Sequence, residues 1–148
     1  MRVVVQRVTE GSVTIDGRVS ATIGRGFVVL LGIRKGDTAG AAEFLAEKCV
    51  NLRVFEDVAG KMNMSLNDVG GSMLIVSQFT LYADARKGNR PGFADAAASA
   101  EAEPLYDHFV TSVQKMLGPD RVATGVFQSM MQVRMVNDGP VTILMESK

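Results

Sequence analysis

Two short segments carry polar side chains where their surroundings call for something else. In Ser72-Met73-Leu74-Ile75-Val76-Ser77-Gln78-Phe79-Thr80-Leu81 an apolar run breaks into polar residues at its end. Strand ends that feed loops are common places to mount binding and catalytic groups. The alternative is that Ser77 and Thr80 terminate the strand by local hydrogen bonding. Ester hydrolysis with Thr80 as nucleophile is one chemistry within reach, but a threonine hydroxyl needs a base. The second segment is Val136-Asn137-Asp138-Gly139-Pro140-Val141-Thr142. Asn-Asp-Gly-Pro reads as a turn, here a hairpin connection between strands at 131–136 and 141–146. A Gly-Pro bond has only a modest trans preference. If it were cis, its two carbonyls would make a rigid acceptor pair.

Familiar constellations are missing elsewhere. The chain has neither a phosphate-binding Gly-x-x-x-x-Gly-Lys-Ser/Thr loop nor a Gly-x-Gly-x-x-Gly after a strand. Its one cysteine, Cys49, and one histidine, His108, leave no Cys- or His-rich metal site, and no metal or cofactor is expected. Cys49 falls inside a helical pattern and reads as a small buried apolar residue. His108 reads as a helix-surface histidine. The 148 residues suit one domain with its own core, and no apolar run is long enough to span a membrane. Sixteen Lys and Arg balance sixteen Asp and Glu. This argues against a protein that grips nucleic acid by bulk charge and leaves room for a local basic patch. A single cysteine fits a reducing cytosol, so a cytoplasmic location is expected.

The elements that must position these residues follow from periodicity. Residues 2–8 and 27–33 read as strands. Val13-Thr14-Ile15 and Arg18–Ile23 flank Asp16-Gly17, a tight-turn signal for a hairpin. A helix is predicted over Thr38–Asn51, with Leu45, Cys49 and Leu52 on one face and Asp37 or Thr38 as its cap. A second is predicted over Pro104–Leu117, with proline at its first position and Gly118-Pro119 as its stop. Short strands are expected at 52–55, 122–127, 131–136 and 141–146, and a polar excursion at 56–67. Two main helices among roughly eight strands joined mostly by short turns predict a single α+β domain with a largely antiparallel, barrel-like sheet.

Taken together, Ser-Gln-Phe-Thr-Leu at 77–81 and Asn-x-Gly-Pro-x-Thr at 137–142 resemble the two signatures of the D-aminoacyl-tRNA deacylases. The similarity extends through Val5-Gln6-Arg7-Val8, Phe55-Glu56-Asp57, Gly60-Lys61-Met62-Asn63, Lys87-Gly88-Asn89-Arg90-Pro91 and Met131-Gln132-Val133. The resemblance implies a homodimer that hydrolyses the ester between a D-amino acid and the 3′-terminal adenosine of tRNA, mischarged glycyl-tRNA included. It implies that Ser77, Gln78, Phe79 and Thr80 face the ester, with the Phe79 backbone N–H as the best oxyanion donor. Gln78 and Met131 would lie near the adenosine. Gly139-Pro140 would be a cis dipeptide inserted into the partner subunit's pocket, rejecting L-aminoacyl groups, with Arg7 locking its orientation and Asn137 and Thr142 in support. Water attack assisted by the ribose 2′-hydroxyl, with Thr80 positioning, is favoured over covalent catalysis. Arg86, Lys87 and Arg90 in the 83–92 loop would meet tRNA.

One departure stands out: before Met131 the family more often has a small residue followed by an acidic one, whereas here the run is Gln128-Ser129-Met130. Two other readings remain open at this stage. One is an esterase for small acyl esters using Thr80; the other is a non-enzymatic RNA-binding or scaffold dimer.

Overall fold

The computed structural model describes residues 1–148. Its frame is a curled six-stranded sheet. Strand β1 (Arg2–Ile15) leads into β2 (Arg18–Ile23) and β3 (Gly26–Gly32). Helix α1 (Ala39–Asn51) follows, then the small hairpin β4 (Phe55–Glu56) and β5 (Met62–Met64), then β6 (Ser72–Ser77). Beyond a 3₁₀ turn (Phe79–Tyr82) come α2 (Ser99–Leu117), β7 (Val122–Thr124) and β8 (Gln132–Glu146). The sheet order is β2-β1-β3-β6-β7, and β8 also pairs with β1. The first half of β1 lies between β3 and β8. Its second half exchanges β3 for β2, which curls the sheet until it is nearly closed into a barrel. Pairings of β1 are antiparallel, while β3–β6 and β6–β7 are parallel.

Local chemistry accounts for most boundaries. Asp16 and Gly17 both take positive φ, 49° and 76°, as a primed hairpin turn between right-twisted strands requires. Thr38 caps α1, its hydroxyl accepting from the Ala41 N–H at 3.3 Å. On β3 and β6, alternate residues face opposite cores. Phe27, Val29, Leu31, Met73 and Ile75 meet the helices, while Val28, Leu74 and Val76 meet Val8 and Val13 inside the curl. Burial on both faces is why these strands read as continuous apolar runs rather than alternating ones. Tyr106 of α2 is buried against the first core and donates to the Ile75 carbonyl at 2.8 Å.

Three expectations from the sequence are corrected. Helix α2 starts at Ser99, so Pro104 lies inside it and not at its first position. The Ser-Ala-Glu-Ala-Glu run is made largely of strong helix formers, and Ala102 is buried, so the helix extends upstream of the proline. Strand β7 stops at Thr124: the Gly125 N–H makes the last ladder bond, to the Ile75 carbonyl at 3.0 Å, and the chain then leaves the sheet through the turn at Val126–Ser129. Asn137–Thr142 is not a hairpin turn. Residues 132–146 form one strand, whose two halves both pair antiparallel with β1. Between the pairs Gln6–Thr142 and Val8–Asn137, β1 advances two residues while β8 gives up five. The surplus is extruded as a bulge carrying Gly139-Pro140.

Candidate functional site

Ser77 ends β6 beside Leu31, and the Gln78 N–H donates to the Leu31 carbonyl at 2.8 Å. Strand β3 ends at Gly32, and the chain after Gln78 folds into the 3₁₀ turn over it. A Cβ on Gly32 would lie 3.0 Å from Leu81 Cβ and 3.1 Å from the Gln78 carbonyl oxygen. The turn therefore needs a residue without a side chain beneath it. Phe79 is the first residue of this turn, so its N–H has no acceptor within it, and it makes no backbone bond elsewhere. The Gln78 side-chain amide donates to the Thr80 hydroxyl oxygen. His108 lies elsewhere, half-exposed on α2 and 2.8 Å from Glu43. The Thr80 oxygen thus meets a donor rather than a base.

Ser77, Gln78 and Phe79, but not Thr80, open into a cavity of about 660 Å³, within the range of small-ligand sites. Ser77, Gln78 and Phe79 form one side. Phe93 continues it, packed edge-on against Phe79 with ring centroids 5.0 Å apart. Ala96, Ala97, Ala98, Ser99 and Ala102 line the α2 side, and Phe127–Met131 the third. Thirteen of the eighteen lining residues are hydrophobic; the polar ones are Ser77 and Gln78 at the strand end, Ser99 on the α2 side, and Gln128 and Ser129 on the third.

The 83–92 loop rises from the rim between Phe79 and Phe93. Asp84 and Gly92 close its base by exchanging two backbone hydrogen bonds of 2.8 Å. Within it Arg86 is committed to Asp84, with contacts of 2.9 Å from Nε and 2.8 Å from Nη2. Those bonds, with one from the Arg86 backbone N–H, lower the Asp84 carboxyl to about 2. Lys87 and Arg90 are exposed and make no ion pair.

A second cluster gathers Arg7, Asn137, Gly139, Pro140 and Thr142 on the paired strands β1 and β8. Arg7 is only 6% exposed. Its Nε donates to the Asp138 carbonyl at 2.9 Å and its Nη1 to the Val54 carbonyl at 2.6 Å. Asn137 Oδ1 accepts from the Val141 N–H at 2.8 Å, while its amide donates to the Thr142 hydroxyl at 3.1 Å. The Gly139-Pro140 bond is cis, and both residues are exposed. Gly139 has φ +136°, and a Cβ there would lie 2.7 Å from Val141 Cγ2 and 3.2 Å from Arg7 Nη2. Within one chain this dipeptide does not line the cavity at Ser77–Phe79.

The sequence reading therefore found two clusters that the fold keeps apart. It missed Phe93, the alanines before and within α2, and Phe127. The run Ala96-Ala97-Ala98 was the available signal, since small residues in succession leave room for a ligand.

A polar strand end with an unpaired backbone donor, opening into an apolar pocket on a curled α+β sheet, is an arrangement suited to holding an ester and the oxyanion formed from it. Residues 4–146 match the family described as D-Tyr-tRNA(Tyr) deacylase. A D-aminoacyl-tRNA deacylase of Thermomicrobium roseum is 56% identical over 99% of this chain and 94% of its own. The chain belongs to the D-aminoacyl-tRNA deacylase family, whose members hydrolyse the ester of D-aminoacyl-tRNA. A solved structure described as "c-Myc DNA Unwinding Element Binding Protein" is similar at TM-score 0.95 and 46% identity, covering 100% of this chain and 99% of that one. Another, described as a "probable eukaryotic D-amino acid tRNA deacylase", shares the fold at TM-score 0.85 and 20% identity, covering 99% of this chain and 98% of that one.

Proposed function

We propose that the enzyme acts as a cytoplasmic homodimer in which each site combines the Ser77–Thr80 strand end of one subunit with Gly139-Pro140 of the other. The terminal adenosine of the tRNA occupies the apolar cavity beside Gln78 and Met131. Water adds to the ester carbonyl, assisted by the ribose 2′-hydroxyl. The Phe79 N–H holds the oxyanion, and collapse of the intermediate releases the free amino acid and the 3′-hydroxyl. Thr80 positions the substrate. The donor contacting its oxygen and the lack of a neighbouring base support this role over nucleophilic attack.

One observation carries the two-subunit reading. The dipeptide is projected outward and braced by Arg7 and Asn137, yet it is not part of its own chain's cavity. A backbone wall held this way does not yield as a mobile side chain would. An L-aminoacyl group would be rejected by its side chain, whereas a D-aminoacyl group or glycine would pass. A sheet face that needs covering supports the dimer: Val4, Leu30 and Leu144 are register neighbours there, and Leu144 is 60% exposed. Lys87 and Arg90 beside the rim suit the tRNA backbone. No helix is long and apolar enough to cross a membrane.

Subunit mixing tests the proposal. Phe79→Pro removes the oxyanion donor and Gly139→Ala distorts the dipeptide, so either variant alone should be nearly inactive. Co-expression yields heterodimers with one site in which both parts are intact, and activity should return in proportion to the heterodimer present. A site built within one chain would be defective in every subunit, and activity would not return.

A further inference from the structure

We infer that Gln128 and Ser99 form a latch across the mouth of the cavity, making Gln128 a positioning residue that sets how tightly the enzyme holds the tRNA terminus. The inference rests on reading this cavity as the seat of that terminus. Both residues line the cavity, Ser99 from the α2 side and Gln128 from the 127–131 side, and the Gln128 amide donates to the Ser99 hydroxyl at 2.7 Å. The loop that carries Gln128 is well fixed at its base. Gly125 bonds the Ile75 carbonyl, which Tyr106 also bonds, and Phe127 packs on the Tyr106 ring at 5.8 Å. Its tip is not: Met130 is 91% exposed and Val126 46%. The tip's one side-chain hydrogen bond to another element is the link to Ser99.

The backbone shows that this link is maintained against a preference. Ser129 N–H bonds the Val126 carbonyl at 3.2 Å, closing a four-residue turn with Gln128 at its third position. Gln128 there has φ +62°. That position of such a turn favours glycine, because a Cβ crowds the backbone at positive φ. A glutamine in its place gains nothing locally. What its side chain reaches is Ser99, on the α2 side of the pocket, and an unfavourable conformation next to a binding site points to a binding role. The closed latch holds Ser129, Met130 and Met131 against whatever occupies the cavity.

The test separates binding from folding. Gln128→Gly relaxes the turn and removes the latch, so the melting temperature should hold or rise while KM for D-tyrosyl-tRNA increases. The expected rise is roughly three- to tenfold, the value of one neutral hydrogen bond, with kcat within about twofold of the parent. Ser99→Ala should give the same rise, Ser99→Thr should not, and the double variant should add nothing further. Unchanged KM in Gln128→Gly and Ser99→Ala, or additive effects in the double variant, would overturn the latch. Ala98→Phe, which partly fills the cavity from an exposed position, tests the underlying reading independently. If it leaves KM unchanged, the cavity is not the seat of the terminus; if it raises KM while the latch variants do not, only the latch is wrong.

Discussion

At the scale of single residues, the proposed mechanism gives the chemistry to a free backbone donor and a constrained dipeptide, both outside the usual catalytic side chains. The sequence showed that Ser77–Thr80 was out of place in a core strand. It could not show that the Phe79 N–H is left without an acceptor, because that depends on where the 3₁₀ turn begins. Thr80→Ala should keep a measurable share of activity, since the hydroxyl accepts from an amide and has no base to activate it. Complete inactivation of a folded Thr80→Ala protein, or an acyl-enzyme trapped on Thr80, would reinstate covalent catalysis. Gly139→Ala should lower kcat/KM at least tenfold with a modest loss of stability, on the order of 1–3 kcal/mol. The cause is internal: the added Cβ meets Val141 and Arg7 of the same chain, whatever the substrate. Denaturant melts alongside kinetics check both halves of this expectation.

Among the elements, the strands that pack two cores were the most legible, because continuous apolar runs such as Phe27–Leu31 admit few alternatives. The least legible was β8. Asn-Asp-Gly-Pro carries every local sign of a turn, yet both flanking halves find the same partner strand, and the pairing overrides the local signal. Only long-range register decides such a case, and register is not written in five residues. The 83–92 loop was legible as basic but not in its pairing. Because Asp84 holds Arg86, Lys87→Ala and Arg90→Ala should each raise KM and flatten the salt dependence by about one phosphate contact. Arg86→Ala should flatten it less. The commitment of Arg86 is insensitive to ordinary pH. The carboxyl of Asp84 is depressed, so its ion pair is fully formed above the usual carboxylate range and is lost only as pH falls toward about 2. Salt slopes measured at pH 6 and pH 8 should rank the three variants identically; an Arg86→Ala slope change as large as that of Lys87→Ala would place the phosphate at Arg86.

For the whole molecule, the α+β class, the two helices and the curled, mostly antiparallel sheet followed from periodicity and turn chemistry, whereas the pairing of the first strand with the last, which curls the sheet, did not. The open sheet face was not foreseeable, since exposure of Leu144 depends on how far the sheet curls. Leu144→Arg buries a charge in the proposed interface, so it should shift the protein from dimer to monomer in sedimentation and reduce activity with it. A monomer that stays fully active would remove the partner from the site. Whether this site decides handedness is read from the deacylation rates of matched D- and L-tyrosyl-tRNA by the purified enzyme, without added metal or nucleotide. The D-amino acid should be released rapidly, with the L-ester left at its spontaneous rate of hydrolysis. Comparable enzymatic rates on the two would contradict that role.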